Sequence, residues 1–122
     1  MKRVLIVDDS QLSRNYHSFI LTGAGYEVET ARDGAEALEK VLSETFQAIL
    51  TDINMRGMDG YEFIRRVRGD QQLVNQPPII IISTESSEED KQIGFKAGAN
   101  FYLVKPAEPQ ELLASLRMIT EG

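Results

Sequence analysis

An α/β fold on a parallel sheet is predicted by three observations. Short runs of β-branched and aliphatic residues alternate with stretches of helical periodicity, five times along the chain. The runs at residues 4–7, 48–51 and 79–82 are almost wholly apolar, as parallel strands buried on both faces are. Capping residues, Gly and Pro punctuate the boundaries between the pieces.

Taken in order, residues 4–7 form the first strand. Leu12, Tyr16, Phe19, Ile20 and Gly23 then recur at helical spacing and predict the buried stripe of helix one, stopped by Gly23-Ala24-Gly25. Residues 26–30 alternate, which suits a less buried edge strand. Asp33 with Glu36 is a capping-box pattern opening helix two, with Ala35, Leu38, Val41 and Leu42 expected inside. Residues 48–51 are strand three. Asp59 with Glu62 repeats the capping pattern for helix three, with Phe63, Ile64 and Val67 inward. Pro77-Pro78 introduces strand four at residues 79–82. Ser86 with Glu89 is expected to cap helix four, which ends at Gly98; Ile93 and Ala97 should pack inward and Phe95 should stand exposed. Gly94 in mid-helix costs about 1 kcal/mol relative to Ala and predicts a helix that moves easily. Residues 101–104 are strand five. Pro109 fits the first turn of helix five, whose stripe is Leu112, Leu113, Leu116 and Ile119.

With 122 residues and no internal linker, repeat or low-complexity segment, one domain spanning 1–122 is expected. The absence of cysteine rules out disulfides and thiolate metal sites and suits a reducing compartment. Neither a signal peptide nor an apolar run long enough to span a membrane is present, which predicts a cytoplasmic protein. The net charge of −6 argues against direct nucleic-acid binding and for cations or positively charged partners.

In a parallel sheet, ligands bind beyond the carboxyl ends of the strands. Strand one ends at Asp8-Asp9, strand three at Asp52, strand four at Ser83-Thr84 and strand five at Lys105-Pro106. Singly, these are ordinary turn, cap or surface residues. Jointly, they place three carboxylates, a hydroxyl and an ammonium on one rim. Two like charges near 4 Å repel by about 4 kcal/mol at an effective dielectric of about 20. Either a carboxylate is protonated or a cation binds. Carboxylate, carbonyl and water oxygens suit Mg²⁺, or Mn²⁺, rather than zinc. Asp52 would be the nucleophile, since a carboxylate can form an aspartyl phosphate.

Val7-Asp8-Asp9-Ser10, Thr51-Asp52-Ile53-Asn54-Met55, Met58-Asp59-Gly60, Ser83-Thr84-Glu85, Ala97-Gly98-Ala99 and Val104-Lys105-Pro106 together resemble the bacterial response-regulator receiver domains, of the chemotaxis CheY-like type. The resemblance covers essentially the whole chain. It implies a flavodoxin-like fold with strand order 2-1-3-4-5 and helices on both faces. It implies a two-component phosphorelay switch that is not a classical enzyme and catalyses only its own phosphorylation and dephosphorylation. Asp52 would be the phosphoacceptor. Asp9, Asp52 and the Asn54 carbonyl would ligate Mg²⁺, with Asp8 holding a metal-bound water or ligating weakly. Lys105 and Ser83 would contact the phosphoryl oxygens. Tyr102 would follow Ser83 inward as the switch aromatic, and Asn54 with Glu85 would tune the lifetime of the phosphoryl group. A cis Lys105–Pro106 bond is implied, where an X-Pro bond is ordinarily trans.

The implied partners are a histidine kinase or phosphotransfer protein as donor and a target protein bound through helix four, strand five and helix five, with Phe95 and Tyr102 in the contact. A monomer is expected, with a phosphorylation-dependent dimer as the alternative. The pattern departs from the family at Arg56, where proline is frequent, and at Ala107, where an aromatic is frequent; none of the reacting groups is lost. His17 is expected to face solvent.

Three other readings compete, besides that of a receiver cut from a larger regulator. An aspartate-nucleophile phosphatase needs an acid two residues after its nucleophile, where this chain has Asn54. A flavin module needs an uncharged phosphate loop after strand one, where Asp8-Asp9 would repel the phosphate. A purely structural domain predicts no response to Mg²⁺ and a phosphodonor.

Overall fold

A computed structural model describes residues 2–121. The elements run β1 (Arg3–Val7), α1 (Gln11–Gly23), β2 (Glu27–Ala31), α2 (Gly34–Ser43), β3 (Ala48–Thr51), α3 (Gly60–Gly69), β4 (Ile79–Ser83), α4 (Glu88–Ala97), β5 (Phe101–Val104) and α5 (Pro109–Glu121). All four strand pairs are parallel and the sheet order is β2-β1-β3-β4-β5, as the sequence implied. β2 is an edge strand, in keeping with its alternating pattern.

Successive strand residues point to opposite faces, so each buried strand feeds two cores. Leu5, Val7, Ile49, Ile79 and Ile81 meet Ala37, Val41, Phe63, Ile64, Val67 and Ala97 of α2, α3 and α4. Val4, Ile6, Leu50, Ile80, Ile82 and Leu103 meet Leu21 of α1 and Leu112 and Leu116 of α5. This double burial is why β1, β3 and β4 are apolar throughout.

Caps form where the short polar residues stand. Asp33 accepts from the Glu36 N–H at 2.8 Å while Glu36 accepts from the Arg32 N–H at 2.9 Å. Asp59 accepts from the Glu62 N–H at 2.8 Å. In α4 the cap lies one residue beyond expectation: Ser87, not Ser86, accepts from the Asp90 N–H at 3.0 Å. Gly98 ends α4 at φ 123°, in the left-handed region open to glycine.

The inward faces of three helices differ from the sequence reading. In α2, Gly34, Ala37 and Val41 are buried, Leu38 is half-buried, and Ala35 and Leu42 are exposed. In α4, Gly94 and Ala97 are buried while Ile93 is exposed. A Cβ at Gly94 would stand 2.6 Å from Ile81 Cδ1 and 3.3 Å from Tyr102 Cδ2. The helix therefore rests on its smallest residues, and Ile93 turns outward. Gly94 is explained by this close approach, and Phe95 is 48% exposed as expected.

The largest correction concerns α1. Leu12 and Phe19 are 82% and 79% exposed, and Tyr16 is also exposed. His17, expected at the surface, is buried at 4% together with Leu21. The first turns of α1 lie over the charged rim, where polar side chains are needed, so the Ser13–His17–Leu21 face turns in and Leu12, Tyr16 and Phe19 turn out, while Ile20 packs half-buried against the core.

Candidate functional site

Register brings the site together. Val7 pairs with Thr51, Thr51 with Ile81 and Ser83 with Val104, so the residues that follow these strands share one rim. Backbone bonds carry the register past the strand ends: the Asp8 N–H donates to Ala31, Asp52 to Val7 and Lys105 to Ser83.

At the centre, Lys105 Nζ lies 2.9 Å from Asp8 Oδ2 and 2.9 Å from Asp52 Oδ2. The Lys105–Pro106 bond is cis. Asp52 Oδ1 accepts from the Ile53 N–H at 2.7 Å, which fixes the carboxylate while leaving lone pairs on both oxygens. Asp8 is buried, and all of its contacts are donors: the Ser10 N–H at 3.0 Å to Oδ1, and the Ser13 hydroxyl at 2.6 Å to the same Oδ2 that meets Lys105. The Arg14 guanidinium donates to the Asp8 carbonyl at 2.7 Å. Burial alone would raise the Asp8 pKa; the hydrogen bonds from Ser13, Ser10 and Lys105 outweigh it and hold it below the ordinary value. Burial lowers Lys105, but Asp8 and Asp52 more than offset that and its pKa is raised. The pair thus favours its ionised form from both sides.

Around this centre, Asp9 is exposed and its carboxylate makes no hydrogen bond or ion pair among the described residues. Asn54 is exposed and donates to Glu85 Oε1 at 3.3 Å. Ser83 is fully buried, and its Oγ accepts from the Glu85 N–H at 3.1 Å. The Tyr102 hydroxyl donates to the Glu85 carbonyl at 2.8 Å. Arg56 is exposed and joins no ion pair among the described residues. Phe95 stands apart from the rim, on the outer side of α4.

The structure adds residues that sequence reasoning did not single out, Ser13 and Arg14 on Asp8 and also Tyr61, and it moves His17 from the expected surface to a buried place beside Ser13. The Tyr61 hydroxyl donates to the Asp90 carbonyl at 3.1 Å and lies 3.3 Å from Asp90 Oδ1, tying α3 to α4. Only the helical spacing of Ser13 and His17 could have signalled their shared face. Beside Lys105 opens a groove of about 540 Å³, lined by Leu12, Tyr16, Thr84, Pro106 and Ala107 among others. The small side chain of Ala107 forms part of its wall.

No three His, Cys, Asp or Glu side chains among the described residues enclose a metal by themselves. The donor set nevertheless fits a hard dication: Asp9 is unengaged, Asp52 keeps free lone pairs, and backbone and water oxygens would complete the shell. Proteins commonly hold Mg²⁺ in this manner, through one or two carboxylates with several waters retained.

A family model for the response regulator receiver domain matches residues 4–117. The chain belongs to the response regulator receiver family. Receiver domains work in two-component signalling, taking phosphate from histidine kinases and acting on downstream targets, and are not classical enzymes. The chain is 43% identical over 112 residues to a gliding motility regulatory protein of Myxococcus xanthus, covering 92% of this chain. It spans 14% of that relative and 52% of others among the curated relatives it matches. The fold is similar to that of the chemotaxis protein CheY4 of Vibrio cholerae, at 46% identity and TM-score 0.90, covering 98% of each chain. It is also similar to the receiver domain of the sensor histidine kinase PA1611 of Pseudomonas aeruginosa, at 27% identity and TM-score 0.90, covering 99% and 98% of the chains. That structure has a magnesium ion coordinated in its active-site cleft. Among the described residues, no helix is long and apolar enough to cross a membrane.

Proposed function

We propose that this receiver domain is a phosphorylation-activated switch whose acceptor is Asp52. The observation that carries this reading is the single ammonium of Lys105 held 2.9 Å from both Asp8 and Asp52, beside the unengaged Asp9. One positive charge serves two carboxylates directly, and a third stands next to them, which leaves the rim short of cation.

An Asp52 carboxylate oxygen attacks phosphorus in a phosphohistidine donor. The O–P bond forms as the P–N bond breaks, and the electron pair leaves with the imidazole nitrogen. Lys105 follows the charge from the Asp52 oxygen to the new phosphoryl oxygens. Asp9, Asp52 and the Asn54 carbonyl would hold Mg²⁺, or Mn²⁺ in its place, with Asp8 behind them. Such an ion would supply positive charge to the phosphoryl oxygens. The exposed Leu12 and Tyr16 line the groove beside Lys105, and with the exposed Phe19 farther along α1 they give the donor protein an apolar face on which to dock.

The phosphoryl group adds about −1.5 to −2 charges and three acceptor oxygens. Ser83 turns its hydroxyl to them, which loosens its bond to the Glu85 N–H. Tyr102 is bound to the carbonyl of that same Glu85, so the disturbance passes to β5 and biases a two-state equilibrium there. Output runs through α4, β5 and α5 by protein contact, with Phe95 in the interface. The Asn54–Glu85 pair borders the site and tunes the lifetime of the phosphoryl group.

Mass spectrometry after incubation with Mg²⁺ and acetyl phosphate tests this. One phosphoryl group should appear on the wild type and none on Asp52→Asn. A phosphoryl group retained at another residue in Asp52→Asn would overturn the assignment. Sustained turnover of a generic phosphomonoester would favour a phosphatase instead.

A further inference from the structure

The Asp8 side chain is 4% exposed, so its charge depends on protein donors. Three reach it, and the shortest bond is from Ser13, at 2.6 Å, within the range of charge-assisted O–H···O⁻ bonds. Ser13 lies in the first turn of α1, where its own N–H donates to the Ser10 cap at 3.2 Å. Its side chain is thereby aimed under the rim.

A serine hydroxyl has one proton. At 2.6 Å from a carboxylate oxygen, that proton must lie between the two oxygens. The Ser13 oxygen is then free to accept, and His17 Nδ1 lies 3.4 Å away, one turn along α1. The direction follows: His17 Nδ1–H donates to Ser13, and Ser13 donates to Asp8. In the other tautomer Nδ1 would be an acceptor facing the Ser13 oxygen, with the single hydroxyl proton already committed to Asp8 and none left between them. His17 is buried, and its ring stands edge-on to Tyr16 at 5.2 Å between centroids, which fixes its orientation.

We infer that Ser13, backed by His17, is a positioning residue of the phosphoacceptor site. It opposes the pull of Lys105 on Asp8 Oδ2 from the α1 side. Lys105 is thus shared evenly between Asp8 and Asp52, and Asp8 is kept as the buried anchor of the metal's water shell. This inference rests on the reading of the rim as an Mg²⁺-dependent acceptor and adds a residue to it. Partners of this kind commonly alter metal affinity when removed.

The experiment compares Ser13→Ala, Ser13→Thr and His17→Phe with wild type. Mg²⁺ affinity is measured by titration of amide resonances, and the Lys105 ammonium and Asp8 carboxyl resonances are recorded in metal-free protein. Ser13→Ala should weaken Mg²⁺ binding by about tenfold. It should also shift both metal-free resonances. Ser13→Thr, which keeps the hydroxyl, should stay within about twofold, and His17→Phe should fall between them. Unchanged Mg²⁺ affinity in Ser13→Ala would overturn the inference, as would equal losses in Ala and Thr variants. If Ser13→Ala does not fold, His17→Phe decides: wild-type affinity and resonances there overturn it. Wild-type protein that binds no Mg²⁺ and takes no phosphoryl group defeats the site reading itself, an outcome distinct from the others.

Discussion

Replacing Lys105 by Met removes the ammonium and keeps nearly the same side-chain length. Because Nζ lies 2.9 Å from Asp8 Oδ2 and from Asp52 Oδ2, these oxygens are at most about 5.8 Å apart, twice that distance. Two full charges at that separation repel by about 3 kcal/mol at an effective dielectric of about 20. Water reaching the partly open side of the pair lowers this figure, and the variant no longer bears the cost of desolvating the ammonium. In metal-free buffer near neutral pH, Lys105→Met should therefore lose about 1–3 kcal/mol of unfolding free energy.

Mg²⁺ separates this cause from a packing defect. In the wild type a bound dication would compete with the ammonium for carboxylate charge; in the variant it would stand alone. Saturating Mg²⁺ should stabilise Lys105→Met more than wild type, by about 1.4 kcal/mol for each tenfold gain in affinity. Urea unfolding of both proteins in chelator and in excess Mg²⁺ gives all four numbers. Equal stabilisation by Mg²⁺, or a variant as stable as wild type in chelator, would refute the electrostatic account of the rim.

Other outcomes follow from single contacts. A Cβ at Gly60 would meet the Asp52 carbonyl oxygen and stand 2.8 Å from Ile53 Cα, both backbone, so Gly60→Ala should cost about 3 kcal/mol in urea unfolding. His17 is the sole histidine, and burial, then the Lys105 charge, depress its pKa. Its contribution to stability is therefore present above its unfolded pKa near 6.5 and lost as pH falls through its folded value; His17→Gln should flatten that slope in a pH series of urea melts. Phe19→Ser should slow phosphoryl transfer from a protein donor by about tenfold, read by mass spectrometry, with the rate from acetyl phosphate unchanged. Phe95→Ala should cost under about 1 kcal/mol in urea unfolding, since the side chain is half exposed, and leave Asp52 phosphorylation intact while weakening target binding in a titration.

The sheet was legible because β1, β3 and β4 are buried on both sides and so carry a signal that needs no choice of face. The rim was legible for a related reason: where parallel strands end, topology dictates that Asp8, Asp52 and Lys105 meet. The faces of α1, α2 and α4 were harder. Periodicity reports that residues share a side, not which side a neighbour takes. Ile93 satisfies the spacing rule, yet α4 turns Gly94 inward because Ile81 and Tyr102 leave no room for a side chain. Tyr61 was not legible at all, since its partner Asp90 is 29 residues away and nothing local marks the pair.

The inversion of α1 ties the unread part of the fold to function. A helix with Leu12, Tyr16 and Phe19 on one stripe and Ser13 and His17 on another would ordinarily bury the first. Burying those apolar groups against Asp8 would strip the carboxylate of a donor and leave part of its charge uncompensated. The polar stripe therefore turns in, where Ser13 meets Asp8 at 2.6 Å, and the apolar stripe is left facing outward beside Lys105. The same electrostatic demand that gathers the carboxylates of the proposed acceptor rim thus also presents an apolar surface next to it.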